Sequence, residues 1–188
     1  SSTGTCWCFS SLGFMESELI RMGKGEYDLS EMYVVSKTYT DKADRYVRLD
    51  GFLNFAQGGG FDDYLYVIRK YGIVPNEVMP GLNYGEEVHR HSELTAVLKG
   101  IVDAVKKNPN RKLSTAWKNA FQGALDAYLG DIPETFEYKG NTYVRFAEYS
   151  DRTAAESLRG TKLIVESDED EVEPDAWFPH ELTGLEAL

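Results

Sequence analysis

The feature that most constrains the fold is a change in apolar periodicity near residue 130. From Phe9 onwards apolar residues recur at spacings of three and four, which is typical of amphipathic helices. After Gly130 apolar and polar residues alternate around Lys139-Gly140-Asn141, which indicates a β-hairpin. The sequence therefore predicts an α+β chain in which helices come first and short strands follow.

Five helices are predicted before that change, and several have recognisable ends. These signals are a stop at Gly23 after the first helix, a capping Ser30 before the second, a C-terminal Gly72 on the third, and Ser114 and Gly130 at the two ends of the fifth. The third helix is expected to place Leu65, Ile68 and Tyr71 on a common side. The fourth carries its apolar stripe from Leu94 to Val105.

The region after residue 143 differs in charge as well as in periodicity. The whole chain has a net charge of −11, and most of that charge lies between residues 144 and 188. A brief helix is predicted in TAAESLRG, and strands in TKLIVE and FPHELTGLEAL. The acidic run from Glu166 to Asp175 favours a solvated loop over an interaction site.

Composition excludes several classes of protein. An apolar fraction of 42% with 13% aromatic residues is ample for a packed core in 188 residues. No apolar run is long enough to span a membrane, so no membrane partner is expected. The negative charge disfavours nucleic acid as a partner. No metal or organic cofactor is implied, since two cysteines and three scattered histidines make a poor zinc site.

The two cysteines lie close together near the start of the chain, in TGTCWCFSSLGF. Cys6 and Cys8 are too close to connect distant parts of a fold, which fits a reducing, cytoplasmic location; a leader removed before Ser1 is left open. Cys6 follows a Gly-Thr turn at the start of the first helix, where free N–H groups and the helix dipole favour a thiolate. The alternative is a small buried apolar residue, which is the preferred interpretation of Cys8.

The residues around Cys6 resemble a known signature. Residues 4–9, GTCWCF, are similar to the G-x-C-W-x-F motif of papain-like cysteine peptidases. Residues 58–75, GGGFDDYLYVIRKYGIVP, resemble the glycine segment and helix of the bleomycin hydrolase and aminopeptidase C branch. Residues 1 to about 143 therefore resemble the first part of such a peptidase, and the resemblance implies the mainly helical lobe of a papain-like fold.

That resemblance implies roles for four residues. Cys6 would be the nucleophile, and its own N–H would give one oxyanion-hole donor. Trp7 would pack beside the site, and Gly58 and Gly59 would lie along the substrate cleft, although an ordinary loop is the other interpretation of the glycines. The expected enzyme is a thiol peptidase, a hydrolase of aminopeptidase type, acting on a peptide substrate.

Three partners that the family uses do not stand in this sequence. Its oxyanion-hole glutamine would fall one position before Ser1, and its His-Ala and Asn-Ser-Trp-Gly strings do not occur. None of His89, His91 and His180 is expected to be the general base. The peptidase is therefore predicted to be incomplete as given, with little activity from this chain alone.

A second resemblance covers residues 144–188. They are similar to the end of the N-terminal barrel domain of RimM, the ribosome maturation factor, including a DR-x-A-A-E-x-L-R-G phrase followed by an acidic loop. The predicted organisation is a papain-like helical lobe in residues 1–143 and a RimM-like β appendage in residues 144–188. A ribosome maturation or RNA-processing binding module, and an inactive folded fragment, are the alternative functions; a homo-oligomer is left open.

Overall fold

The structure is a computed structural model that describes residues 3–110, 112–146 and 148–161. The chain divides into two units, residues 1–157 and residues 158–188. Of the second unit only residues 158–161 are described, and there the Thr161 N–H donates to the Leu158 carbonyl at 2.9 Å. In the described part of the chain, no helix has the length and apolar character needed to cross a membrane.

Six helices and one two-stranded sheet make up the described secondary structure. In chain order they are α1 (Cys6–Arg21), α2 (Glu31–Arg48), α3 (Phe61–Tyr71), α4 (Ser92–Lys106), α5 (Ala116–Leu129), β1 (Thr135–Tyr138), β2 (Asn141–Val144) and α6 (Arg152–Glu156). The predicted class, α+β with a mainly helical first part, is confirmed.

Helix α2 is the most buried of the helices. The Ser30 hydroxyl caps it by accepting the Tyr33 N–H at 3.0 Å, as the sequence predicts, and the same hydroxyl donates to the Met79 carbonyl at 2.6 Å. Both contacts are buried, so the cap also fixes the loop that precedes α4. Helices α1, α3, α4 and α5 all pack against α2.

Helix α1 is buried on one side only. Cys8, Ser11 and Leu12 are its buried residues, while Phe14 and Ile20 are exposed. Among the described helices α2 occupies the central position, since α1, α3, α4 and α5 all contact it, whereas α1 contacts only α2 and α3.

The hydrophobic core lies entirely within the helical part. Its described members run from Cys8 to Leu129, and aromatic side chains such as Phe55 and Phe121 join α2 to α5 through edge-on ring contacts. No residue of β1, β2 or α6 is buried. The helices before residue 130 therefore form a packed body, and the described elements after it lie on its surface.

The predicted hairpin is present. Strands β1 and β2 pair antiparallel, and Phe136 faces Tyr143 with stacked rings 5.0 Å apart. Lys139 at the turn donates to the Glu26 carbonyl and lies 3.8 Å above the centre of the Tyr27 ring. Residues 143 and 144, between which the domain boundary is predicted, both lie in β2. The boundary stays a prediction.

In α3 the most buried residues are Tyr64 and Val67, and the predicted Leu65, Ile68 and Tyr71 are partly buried and packed against the core. One detail of the helices differs from expectation. Helix α5 begins at Ala116, and its N-cap Thr115 makes no side-chain cap. The predicted stops at Gly72 and Gly130 are C-caps, and the brief helix of TAAESLRG is α6. The strand predicted in FPHELTGLEAL, and TKLIVE from Lys162 onwards, lie outside the described residues.

Candidate active site

The candidate site lies at the start of α1. Cys6 is the first residue of that helix, and its side chain is exposed. The N-cap Thr5 is fully buried but makes no side-chain cap, so the N–H groups of the first turn have no local side-chain acceptor. The exposed thiol of Cys6 therefore lies at the positive end of the α1 dipole.

Cys8, two positions further along, is in the opposite environment. Its side chain is 0% exposed, and its thiol donates to the Glu31 carbonyl at 3.4 Å. Burial, together with the nearby Glu31 carboxylate, raises the pKa of Cys8 well above its usual range. Cys8 is therefore an unreactive core residue, and the structural interpretation of it is confirmed.

Trp7 lies beside Cys6 and is joined to the loop before α3. Its indole N–H donates to the Gln57 carbonyl at 3.0 Å. Its ring lies against Gly59, where an added Cβ would come within 2.6 Å of the ring. Only glycine at position 59 permits this approach, so the glycine has a definite packing reason.

The three glycines before α3 are held from both sides. On one side Lys42 of α2 donates to the Ala56 carbonyl at 3.2 Å and to the Gly58 carbonyl. On the other, the Gly60 N–H donates to the Asp63 carboxylate at 2.9 Å, which caps α3. Gly58 and Gly59 themselves are exposed. The structure thus brings Trp7 and Gly59 together next to Cys6, and the roles of all four predicted residues stay predictions.

Two histidines lie at the base of the same region. The His91 side chain is 0% exposed, and its Nδ1 lies 2.8 Å from the Thr3 hydroxyl. The other ring nitrogen, Nε2, is buried without a hydrogen-bond partner among the described residues. The His89 ring lies 5.7 Å from that of His91 and 5.6 Å from that of Phe9. Neither nitrogen of His91 contacts Cys6.

Both imidazoles are uncharged at neutral pH. Burial, with a smaller effect from His89, lowers the pKa of His91 to about 4. Burial also lowers the pKa of His89. They therefore provide no positive charge that would stabilise a thiolate, and His180 lies outside the described residues. The described residues contain no group of three or more His, Cys, Asp or Glu side chains that could hold a metal ion.

The sequence did not single out Gln57, Lys42 or Thr3 as part of this region. The side-chain oxygen of Gln57 accepts the Gly4 N–H at 2.7 Å and lies 3.3 Å from the Thr3 hydroxyl. Gln57 is one residue before the glycines, but nothing in its local pattern indicates a contact with residues more than fifty positions earlier. His91 also differs from expectation: it precedes α4 as predicted, but it is buried.

The fold of this chain is similar to that of a solved structure. The chain matches PepW from Lactobacillus rhamnosis HN001 with a TM-score of 0.51 at 22% sequence identity, and the match covers 85% of this chain and 42% of PepW. At that identity the match shows the fold alone. No family model matches the chain.

Sequence comparison gives two resemblances. The chain is 26% identical over 170 residues to bleomycin hydrolase from Oryctolagus cuniculus, covering 73% of this chain and 60% of that protein. It is also 58% identical over 45 residues to RimM from Renibacterium salmoninarum, covering 22% of this chain and 26% of that protein. The chain therefore resembles bleomycin hydrolase over its larger part and RimM over a short part, and both predicted resemblances are confirmed.

Proposed function

We propose that this chain carries the nucleophile of a thiol-dependent peptidase of the aminopeptidase or bleomycin hydrolase-like type, with Cys6 as the attacking residue. The observation that supports the proposal is the exposed thiol at the first position of α1, within a chain that is similar to bleomycin hydrolase. The chain spans 60% of that relative, so the activity of a whole enzyme is part of the proposal.

The proposed chemistry is acyl transfer. The Cys6 thiolate attacks the carbonyl carbon of a peptide bond, and an S–C bond forms as the C–N bond breaks. The departing amine takes up the proton that the Cys6 thiol has lost. Water then attacks the acyl carbon: a C–O bond forms as the S–C bond breaks, and a proton of the water passes to the sulfur, which regenerates the thiol. N–H groups in the first turn of α1, including that of Cys6, would stabilise the oxyanion that forms on the carbonyl.

Substrate binding is assigned to the neighbouring loop. Gly58 and Gly59 expose their backbone beside Trp7, so an extended peptide could approach closely and pair with main-chain groups. The proposed partner is therefore a peptide. Two unpaired cysteines support a reducing compartment such as the cytoplasm.

The proton carrier for this reaction is not assigned to His89 or His91. His91 is held by Thr3 and is uncharged at neutral pH. We therefore expect this chain alone to be acylated or alkylated at Cys6 but to turn over peptides slowly.

The test compares two electrophiles on the native chain at pH 7. A peptide-bearing epoxysuccinate needs the binding loop, whereas iodoacetamide needs only an accessible thiol. The measured quantity is the ratio of the epoxysuccinate rate to the iodoacetamide rate at Cys6. We expect this ratio to be at least about ten times higher in the native chain than in the urea-unfolded chain, which corresponds to about 1.4 kcal/mol. Mass spectrometry after digestion identifies the site, and Cys6→Ser is the matched control.

Equal preference in the native and unfolded chains would contradict the peptidase proposal. It would instead favour the inactive folded fragment, because a thiol without a substrate site reacts according to its accessibility alone.

A second candidate function rests on the RimM resemblance. The 58% identity over 45 residues is high, although it covers only 26% of RimM. On this alternative the chain would bind a ribosomal or RNA-processing partner. Its test is pull-down of small-subunit ribosomal proteins by the full chain and by a chain ending at residue 143; binding that persists in the shorter chain would contradict the alternative.

A further inference from the structure

Gln57 contacts the chain on both sides of Cys6. Its side-chain Oε1 accepts the Gly4 N–H at 2.7 Å, and its main-chain carbonyl accepts the Trp7 indole N–H at 3.0 Å. We propose that Gln57 is a positioning residue that fixes the first turn of α1 and thereby aims Cys6 at the exposed glycines. This inference rests on the proposed peptidase function.

The start of α1 lacks the support that a helix usually has there. Thr5 is the N-cap, but its side chain makes no cap, and its hydroxyl lies 2.9 Å from that of Thr3 instead. The Gly4 N–H, just outside the helix, is held by Gln57. Gln57 therefore fixes the residue before the N-cap from a distant loop, and its contact uses none of the N–H groups of the first turn, of which that of Cys8 donates to the Thr5 carbonyl at 2.9 Å.

The contact between Gly4 and Gln57 is close. An added Cβ at Gly4 would lie 3.0 Å from the Gln57 Cβ and 3.2 Å from Oε1. Glycine at position 4 is thus needed for the amide of Gln57 to reach the backbone. The motif residue at position 4 has its packing partner in Gln57.

A second anchor makes the arrangement rigid. The Thr3 hydroxyl lies 3.3 Å from Gln57 Oε1 and 2.8 Å from Nδ1 of the buried His91. His91 is the N-cap residue of α4, so the segment before Cys6 is fixed to the helical body as well as to the loop. Removing the Gln57 side-chain acceptor leaves two contacts, that of Thr3 with His91 and that of the Trp7 indole with the Gln57 carbonyl, and frees the Gly4 N–H.

The loop side of the contact is equally fixed. Lys42 holds the carbonyls of Ala56 and Gly58, the two residues that flank Gln57. A shift of Gln57 is therefore resisted by α2. Gln57 thus precedes Gly58 in the chain and is hydrogen-bonded to Gly4 and Trp7, which lie on either side of Cys6.

Two substitutions distinguish the effect of the Gln57 side-chain acceptor from the effect of the side chain's size. Gln57→Met keeps the length and the main-chain carbonyl but has no strong acceptor, and Gln57→Glu keeps an acceptor oxygen and adds a negative charge. Gln122→Met, at a half-buried position of α5, is the matched control, because Gln122 bonds only Asp126 among the described residues.

The first readout is independent of peptidase function. Hydrogen exchange at the Gly4 amide is expected to be at least about ten times faster in Gln57→Met than in the parent chain. In Gln57→Glu and Gln122→Met the amide should stay as protected as in the parent chain. Unchanged exchange in Gln57→Met would overturn the proposed contact, whether or not the chain is a peptidase.

The second readout links the contact to Cys6. In Gln57→Met, the preference for the peptide epoxysuccinate over iodoacetamide is expected to fall about tenfold, while the iodoacetamide rate changes less than about twofold. Gln57→Glu should restore that preference and move the pH profile of alkylation to higher pH, because its carboxylate opposes the thiolate.

A purely structural role would produce a different pattern. In Gln57→Met the rates of both reagents at Cys6 would then change by the same factor. In Gln57→Glu the pH profile of alkylation would match that of the parent chain. Either result overturns the positioning role. If the parent chain itself shows no preference between the reagents, the proposed function fails, and the exchange result alone decides whether Gln57 fixes the start of α1.

Discussion

The helical body, from α1 to α5, and the segment from residue 131 to residue 157 differ in how they are held. The body contains all the buried apolar residues described, from Cys8 to Leu129. The later segment holds β1, β2 and α6, none of which has a buried residue. It contacts the body through Lys139 over Tyr27 and through Ile132 and Phe136, which pack only partly buried against the core. The comparison teaches that Cys6 belongs to the part whose geometry is fixed by packing.

The largest expected contrast is in core substitutions. Phe121 of α5 is 2% exposed and contacts Phe55, so Phe121→Ala should lower the free energy of unfolding by about 3–5 kcal/mol. Tyr143 of β2 is 44% exposed, and Tyr143→Ala should lower it by less than about 1 kcal/mol. Urea unfolding followed by circular dichroism measures both. Comparable losses would show that the later segment is part of the core.

The next contrast depends on pH. Because the pKa of buried His91 is about 4 in the folded chain and about 6.5 when unfolded, protons bind the unfolded chain first as pH falls. The stabilisation is complete above pH 6.5 and is lost progressively towards pH 4. Between pH 7 and pH 5 the loss due to His91 should be about 2 kcal/mol.

His91→Asn is the control for that pH dependence. It should be less stable than the parent at pH 7 but lose about 2 kcal/mol less between pH 7 and pH 5, as measured by urea unfolding at both values. If parent and variant have parallel pH curves, then His91 is not a buried neutral group in the folded chain.

The two helix caps provide a smaller contrast. Ser30 is buried and bonds both Tyr33 and Met79, so Ser30→Ala should lower the free energy of unfolding by about 1–2 kcal/mol. Asp151 caps the five-residue α6 through the Ala154 N–H, and Asp151→Ala should change it by no more than a few tenths of a kcal/mol. The same unfolding assay compares them, and a larger loss for Asp151→Ala would reverse the comparison.

The smallest effect is expected at the ion pair that joins the two ends of the hairpin. Arg145 and Asp131 lie 2.7 Å apart, but their side chains are 40% and 54% exposed. Arg145→Ala should therefore change the free energy of unfolding by about 0.2 kcal/mol, and urea unfolding should show the change shrinking when salt is added. A loss that is large or insensitive to salt would contradict the comparison, because it would show a strong contact within the later segment.

Much of the body could be predicted from the sequence because local signals and periodicity agree there. Ser30, Gly72 and Gly130 act at helix ends through their own backbone neighbours, so the sequence is sufficient to identify them. The common side of Leu65, Ile68 and Tyr71 packs against the core, but the deeper burial of Tyr64 and Val67 comes from tertiary packing and does not follow from the apolar spacing.

The candidate site was predictable only in part, because some of its contacts join residues that are distant in sequence. Cys6 at the start of α1 follows from the local pattern. Gln57 and Lys42 act through contacts with residues distant in sequence, and no spacing rule indicates such contacts. His91 has the sequence environment of a surface residue, and its burial comes from tertiary packing alone.

The most direct test of the account is differential labelling of the two cysteines. The native chain is treated with excess iodoacetamide at pH 7, and the unfolded chain is then treated with an isotopically heavy form of the reagent. Because Cys6 is exposed and Cys8 is 0% exposed, we predict light label on Cys6 and heavy label on Cys8. Light label on Cys8, or heavy label on Cys6, would contradict the placement of a free thiol at the start of α1.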